Sequence, residues 1–221
     1  MENLIDKISL CIQRGKIDLN SPYPPDLKGE KGADELTEEA LNSGISANDI
    51  LTKAMIPAMG IVGDLFRDKK LFVPQVLMSA KAMNSSMVHL KPYFNSGEIK
   101  KRGVFIIGTV SGDLHDIGKN LVSMMVEGSG WQVIDLGVDV KSDRFKEAIN
   151  LYPGSVLGMS ALLTTTMESM ERSVKDIKSA FPNQLIIVGG APLTNSFAME
   201  IGADLYAPNP QVAVEFLNKI Q

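Results

Sequence analysis

The chain has 221 residues, of which 44% are hydrophobic and 22% charged, with two histidines, one cysteine and one tryptophan. One cysteine cannot form an internal disulfide, and with two histidines it cannot supply the four side-chain ligands of a structural zinc site. Twenty-two basic residues against 26 acidic ones give a net charge of -4, which offers no cationic footprint for nucleic acid or an anionic membrane.

The start, Met1 to Ile8, mixes charges with apolar residues, and no run approaches the roughly 20 apolar residues of a bilayer span. A cytoplasmic protein is expected, and the lone Cys11 agrees with a reducing compartment. Leu4, Ile5, Ile8, Cys11 and Ile12 share one face of a first helix that Gly15 closes. A loop with Pro22, Pro24 and Pro25 follows, since three prolines so close together suit neither a helix nor a central strand. A short helix is expected over 33–43 with Gly44 as its cap, then a third from Ser46 to about Phe66 kinked at Pro57. A fourth starts near Pro74 and turns Val76, Leu77, Ala80, Met83, Met87 and Leu90 inward. These helices suggest a four-helix bundle over 1–95, with 96–102 as a linker.

From Gly103 the pattern changes. Apolar runs at 104–107, 132–136, 155–159, 185–188 and 204–206 alternate with amphipathic stretches near 116–129, 142–151, 167–181, 194–202 and 211–220. That alternation predicts an α/β Rossmann-like, flavodoxin-like domain over 103–221 with a five-stranded parallel sheet. In such sheets ligands bind beyond the carboxyl ends of the strands, where the winding reverses.

After the first strand comes Gly108-Thr109-Val110-Ser111-Gly112-Asp113-Leu114-His115-Asp116-Ile117-Gly118-Lys119-Asn120. It fits neither the dinucleotide fingerprint nor a P-loop: Asp113 stands where the first P-loop glycine belongs, and a carboxylate there repels phosphate. It does place one imidazole between two carboxylates on a glycine-rich turn. Asp113 is able to bond one ring nitrogen of His115 while the other ligates a metal, although a histidine merely exposed on a turn fits as well. The third strand ends in a hydroxyl-rich run, Ser160 to Thr166, which also reads as a helix cap at Thr165 or Thr166. The fourth ends in Gly189-Gly190, a close approach for a ligand or a tight turn. His89, with no carboxylate near it in sequence, reads as structural or surface.

Asp113-x-His115-x-x-Gly118, then Ser160-x-Leu162, then Gly189-Gly190, together resemble the cobalamin-binding domain of methionine synthase and of corrinoid proteins in methyltransferase systems. Gly63-Asp64-Leu65-Phe66, Lys70 to Val76 and Ser79 to Met83 resemble the helical cap that precedes that domain. The resemblance covers nearly the whole chain and is weakest over 15–32. It implies bound cobalamin, as methylcobalamin or cob(I)alamin, in the base-off, His-on form with His115 on cobalt. It further implies that Asp113 and Thr166 complete a proton relay, Thr166 standing where methionine synthase has serine. Ser160 and Thr164 would contact the displaced nucleotide tail, and Gly189 and Gly190 would line its slot. Gly112, Asp116, Ile117 and Gly118 would pack near the lower corrin face, and Met59, Phe66, Val73 and Val76 would shield the upper one. The expected role is a methyl carrier that catalyses little alone. Its implied partners are a substrate-specific methyltransferase, a tetrahydrofolate-type methyl acceptor enzyme and a reductive activating protein. Two rivals are a cobalamin-dependent sensor, for which the helical half shows no recognition helix, and a metal-free α/β binding module.

Overall fold

The computed structural model describes residues 4–220. The chain divides into two compact units, one of residues up to 101 with 128–130, the other of 102–127 with 131 onward.

In the first unit α1 (Leu4–Arg14) buries Ile5, Ile8, Cys11 and Ile12, one stripe at helical spacing. Gly15 ends it at φ 70°, where a Cβ would lie 2.6 Å from that of Met78, so neither the conformation nor the space admits a side chain. The proline-rich stretch is tied down. Lys16, fully buried, donates through Nζ to the Ser21 carbonyl at 2.9 Å, Asp18 Oδ1 accepts from the Ser21 N–H at 2.7 Å, and Pro25–Leu27 forms a 3-10 turn.

Helix α2 (Ala33–Asn42) is fastened to the later α5 (Val73–Asn95) by side-chain polar contacts, and Ser86 Oγ donates to the Ala33 carbonyl at 3.1 Å. Thr37 Oγ1 lies 2.9 Å from Ser86 Oγ, and His89 Nε2 lies 2.8 Å from Asp34 Oδ1. His89 is thus structural, and its carboxylate comes from 55 residues away in the chain. Along α5, Val76, Ala80, Met83 and Leu90 are buried, while Leu77 and Met87 are only half-buried.

The third helix differs from the continuous kinked one expected over 46–66. Ser46 Oγ accepts from the Asp49 N–H at 3.0 Å, capping α3 (Ala47–Asp49). A π-helical segment spans Ile50–Met55 before α4 (Ile56–Arg67). The Ile56 N–H reaches Leu51, five residues back, and Pro57 next to it has no N–H to restore the four-residue register. The proline therefore acts on the turn before it. Pro92 lies inside α5 near its end.

Burial pushes the Cys11 thiol up to about 11. A thiol neutral when folded but ionised above about 8.5 when unfolded draws stability out of the fold as pH rises from about 9 to 11. Native protein at pH 8 is therefore expected to leave a disulfide reagent unconsumed until denaturant is added; rapid labelling of the folded chain would contradict the burial.

The second unit runs β1 (Val104–Thr109), α6 (Ile117–Gly128), β2 (Gln132–Asp135), α7 (Ser142–Leu151), β3 (Val156–Ser160), α8 (Met167–Ala180), β4 (Ile186–Gly189), α9 (Asn195–Ile201), β5 (Leu205–Tyr206) and α10 (Pro210–Lys219). All pairings are parallel, in the order β2-β1-β3-β4-β5. One face of the sheet carries Ile106, Leu157, Ile186 and Val188 into a core with Phe145, Met170, Val174 and Ile177 from α7 and α8. Burying one such large side chain is worth roughly 1.5–3 kcal/mol. Gly108 makes room there: a Cβ on it would lie 2.8 Å from the Phe145 ring. On the opposite face Phe105, Ile107, Gly158 and Ile187 meet Leu121 of α6 and Ala213 of α10 around a cavity of about 590 Å³. The winding reverses between β1 and β3, so the loops after those strands flank the crevice that this topology leaves open.

Candidate functional site

The loop after β1 turns at Gly112, φ 85°. Its backbone N–H donates to Asp139 Oδ1 at 2.7 Å, and Ser111 Oγ lies 3.1 Å from the same oxygen. Asp139 itself holds a positive φ of 53° after β2. These two hydrogen bonds hold its carboxyl below the usual range. On the other side of the loop, Thr109 Oγ1 donates to the His115 carbonyl at 2.9 Å.

At the centre lies Asp113, fully buried. Its Oδ1 accepts from the His115 N–H at 3.0 Å and lies 2.7 Å from His115 Nδ1. Its Oδ2 accepts from the Leu162 N–H at 2.7 Å and from Thr166 Oγ1 at 2.8 Å. Burial alone would raise this carboxyl. The Leu162 and His115 amides, the imidazole and the Thr166 hydroxyl outweigh that cost and hold it well below the usual carboxylate range. An ionised carboxylate only accepts, so in the neutral ring Nδ1 carries the proton and Nε2 the lone pair. The His115 side chain is 49% exposed against 0% for Asp113. An imidazole oriented from behind, with its other nitrogen free, is the arrangement of a metal-ligating histidine.

Thr166 is the N-cap residue of α8, but its side chain makes no cap hydrogen bond. The hydroxyl instead faces Asp113 and the Leu163 carbonyl, 2.9 Å away, so helix capping does not account for it. Replacing Thr166 with Val should cost about 1.5–3 kcal/mol of unfolding free energy, the usual worth of a hydrogen bond to a charged group. Replacement by Ser should cost less than about 1 kcal/mol, since the hydroxyl is retained. Urea titrations of both variants check this, and equal losses would rule out the hydroxyl as the source.

Of the residues singled out in the sequence, His115, Asp116, Ile117, Gly118, Ser160, Leu162, Gly189 and Gly190 line the 590 Å³ cavity together. Gly112, Asp113 and Thr166 stand behind its wall. Asp116 is exposed and accepts from Asn120 Nδ2 at 3.1 Å, so it does not share the histidine with Asp113. Thr164 is exposed in the 3-10 turn Thr164–Thr166 and is not part of the lining. Gly190, φ 139°, admits no side chain, because a Cβ would fall 1.7 Å from the Ala161 carbonyl oxygen. Met59, Phe66, Val73 and Val76 belong to the first unit, where Met59 and Val76 are buried and the other two half-buried.

Three contributors escaped the sequence reading: Asp139, Thr109 and Lys119. Lys119 is buried and paired with Asp135 at the end of β2, and it also donates to Asn120 Oδ1 at 2.7 Å. Position at strand ends was the available signal for Asp135 and Asp139.

Among the described residues no group of three or more His, Cys, Asp or Glu is placed to hold a metal ion. The site therefore suits a metal that brings most of its own ligands, and it supplies one oriented nitrogen at the mouth of a deep, glycine-widened slot.

Comparison with known proteins agrees. A B12 binding domain model matches residues 103–215 and a second B12 binding domain model residues 29–91. The chain is 37% identical over 196 residues to trimethylamine corrinoid protein 1 of Methanosarcina acetivorans, covering 87% of this chain and 89% of that one. It is 35% identical over 191 residues to a corrinoid protein of Desulfitobacterium hafniense, covering 84% and 88%. Among solved structures, the methanol:cobalamin methyltransferase complex MtaBC from Methanosarcina barkeri matches with a TM-score of 0.81 at 27% identity, over 99% of this chain and 80% of that chain. Among the described residues no helix is long and apolar enough to cross a membrane. With two matching B12 binding domain models and relatives of this identity along most of its length, the chain belongs to the corrinoid protein family.

Proposed function

We propose that this protein carries a methyl group on a bound cobalamin, between a substrate-specific methyltransferase and a methyl-accepting enzyme of the tetrahydrofolate type, with a reductive protein keeping the carrier active. The observation that carries the proposal is the His115 ring: Nδ1 lies 2.7 Å from a buried carboxylate, and the ring is half exposed at the mouth of the slot. When bound, the corrinoid supplies a cobalt that takes up and gives up the methyl group. The protein supplies what surrounds it. His115 would offer Nε2 to the metal, and Asp113 fixes the tautomer that keeps this nitrogen free. Thr166 and the Leu162 amide keep Asp113 ionised. Whenever Nε2 is not engaged by a metal it is the ring atom able to take up a proton, and the Asp113 carboxylate beside Nδ1, itself held by Thr166, would stabilise the cation that results. In the first unit Phe66 and Val73 are partly exposed apolar groups.

The partner side is supported by relatives named as trimethylamine, dimethylamine and monomethylamine corrinoid proteins and by the similarity to the methanol:cobalamin methyltransferase complex MtaBC. The test is reconstitution with cobalamin, followed by methyl-transfer assays with candidate methylamine and methanol methyltransferases. Methylation of the bound cofactor by one of them, dependent on His115, is the expected result. A chain that retains no corrinoid would refute the proposal.

A further inference from the structure

The register of β1, β3 and β4 sets Ile107, Gly158 and Ile187 side by side on one face of the sheet. The missing side chain at Gly158 leaves a gap, and the Phe105 ring occupies its base: a Cβ on Gly158 would lie 2.4 Å from that ring. Leu121 and Ala213 close the sides. The deep part of the slot is therefore apolar. Polar side chains in the lining are engaged elsewhere or sit at the mouth. Lys119 pairs with Asp135, Asn209 Oδ1 accepts from the Val212 N–H at 3.2 Å beyond the end of β5, and Ser160 is the last residue of β3. The ring of Tyr206 packs against the core on the opposite face.

From this distribution we infer that the slot selects a corrinoid by the base that ends its nucleotide tail, accepting an apolar benzimidazole and discriminating against a purine. The inference rests on the reading of the site given above. A purine carries ring nitrogens and an exocyclic amine that were hydrogen-bonded in water. Beside Phe105, Ile107 and Ile187 they find no partner, and each unpaired buried group weakens binding. A dimethylated benzimidazole has a single free ring nitrogen and otherwise presents carbon to the same walls, so it leaves fewer polar groups unpaired. The expected discrimination is roughly ten- to hundredfold in affinity, the range an apolar pocket achieves against a polar analogue of similar size.

The test is equilibrium dialysis of the cofactor-free full-length protein against three probes: cobalamin, an adenine-tailed cobamide and tail-less cobinamide, with the visible spectrum recorded to follow axial ligation. Cobalamin should bind most tightly, the adenine form roughly ten- to hundredfold more weakly. Ala213→Val narrows the slot from the α10 side and should weaken cobalamin by about tenfold or more while leaving cobinamide unchanged. Gly158→Ala, which must displace the Phe105 ring, should do the same, and it stands in if the first variant fails to fold. Equal affinity for the two tailed forms, or a preference for adenine, overturns the selectivity while a His115-dependent spectrum still upholds the site. Binding of none of the three refutes the site reading and the inference with it.

Discussion

Replacing His115 by Ala should leave a folded protein that no longer holds its corrinoid firmly. The side chain is half exposed, so water can replace the lost donor, and its main-chain N–H still reaches Asp113; unfolding free energy should fall by roughly 1.5 kcal/mol, the low end for a hydrogen bond to a charged group. Affinity should fall by roughly 100-fold, at the upper end of what loss of an orienting partner alone costs at a metal site. Dialysis against cobalamin measures the affinity. Nitrogen splitting in the EPR signal of the Co(II) form, with labelled histidine, measures the ligation. A variant that kept that splitting would show that another group ligates, and His89 is not a candidate while it is bonded to Asp34.

Asp113→Asn should be as damaging to ligation by a different route. The carboxylate accepts at both oxygens, from the His115 amide and ring at Oδ1 and from the Leu162 amide and Thr166 at Oδ2. An amide side chain must turn its NH2 toward one of those sides. Turned toward Leu162 and Thr166, it meets donors. Turned toward the ring, it forces Nδ1 to accept, which moves the proton to Nε2 and blocks the ligating lone pair. The histidine is then present, correctly placed and in the wrong tautomer. Nitrogen-15 shifts of the ring should show protonation exchanged between Nδ1 and Nε2, and an unchanged tautomer would remove Asp113 from its orienting role.

The same variant carries a pH signature. Asp113 is depressed in the folded state, so its contribution to stability is complete above the unfolded carboxyl value near 4 and is lost as pH falls toward the folded one. The stability advantage of the natural protein over Asp113→Asn should therefore be level from about pH 5 to 8 and shrink below about pH 4. Urea unfolding at a series of pH values measures it, and an advantage that faded near neutrality would assign the titration to another group.

The sheet was legible in the sequence because its signals are local. Each strand is a short apolar run, each crossover has its own amphipathic stripe, and parallel strands buried on both faces leave little doubt about the alternation. The helical half was read less well for a physical reason: a short π segment flanked by α-helix adds only about one residue to the pattern, too little to disturb an apolar period near 3.6, so the segment at Ile50–Met55 left no mark except Pro57 just beyond it. At the site, Asp113 and His115 are two residues apart and their pairing was readable. Thr109, Lys119 and Asp139 were not, because each acts through a partner that only folding supplies: the His115 carbonyl, Asp135 and the Gly112 amide. Thr166 lay between these cases. Its place before α8 suggested a cap, and only the approach of the β1 loop to the β3 loop redirects its hydroxyl.

That approach has a dynamic consequence. One carboxylate bridges the loops after β1 and β3, so neither can breathe without breaking bonds that belong to the other. Their opening is a single cooperative event, and the Leu162 amide, which donates to Asp113 at 2.7 Å, is a natural clock for it. Its hydrogen-exchange rate should follow that of the His115 amide rather than those of its own sequence neighbours, and whatever draws on the imidazole at the mouth of the slot should be felt 47 residues further along the chain.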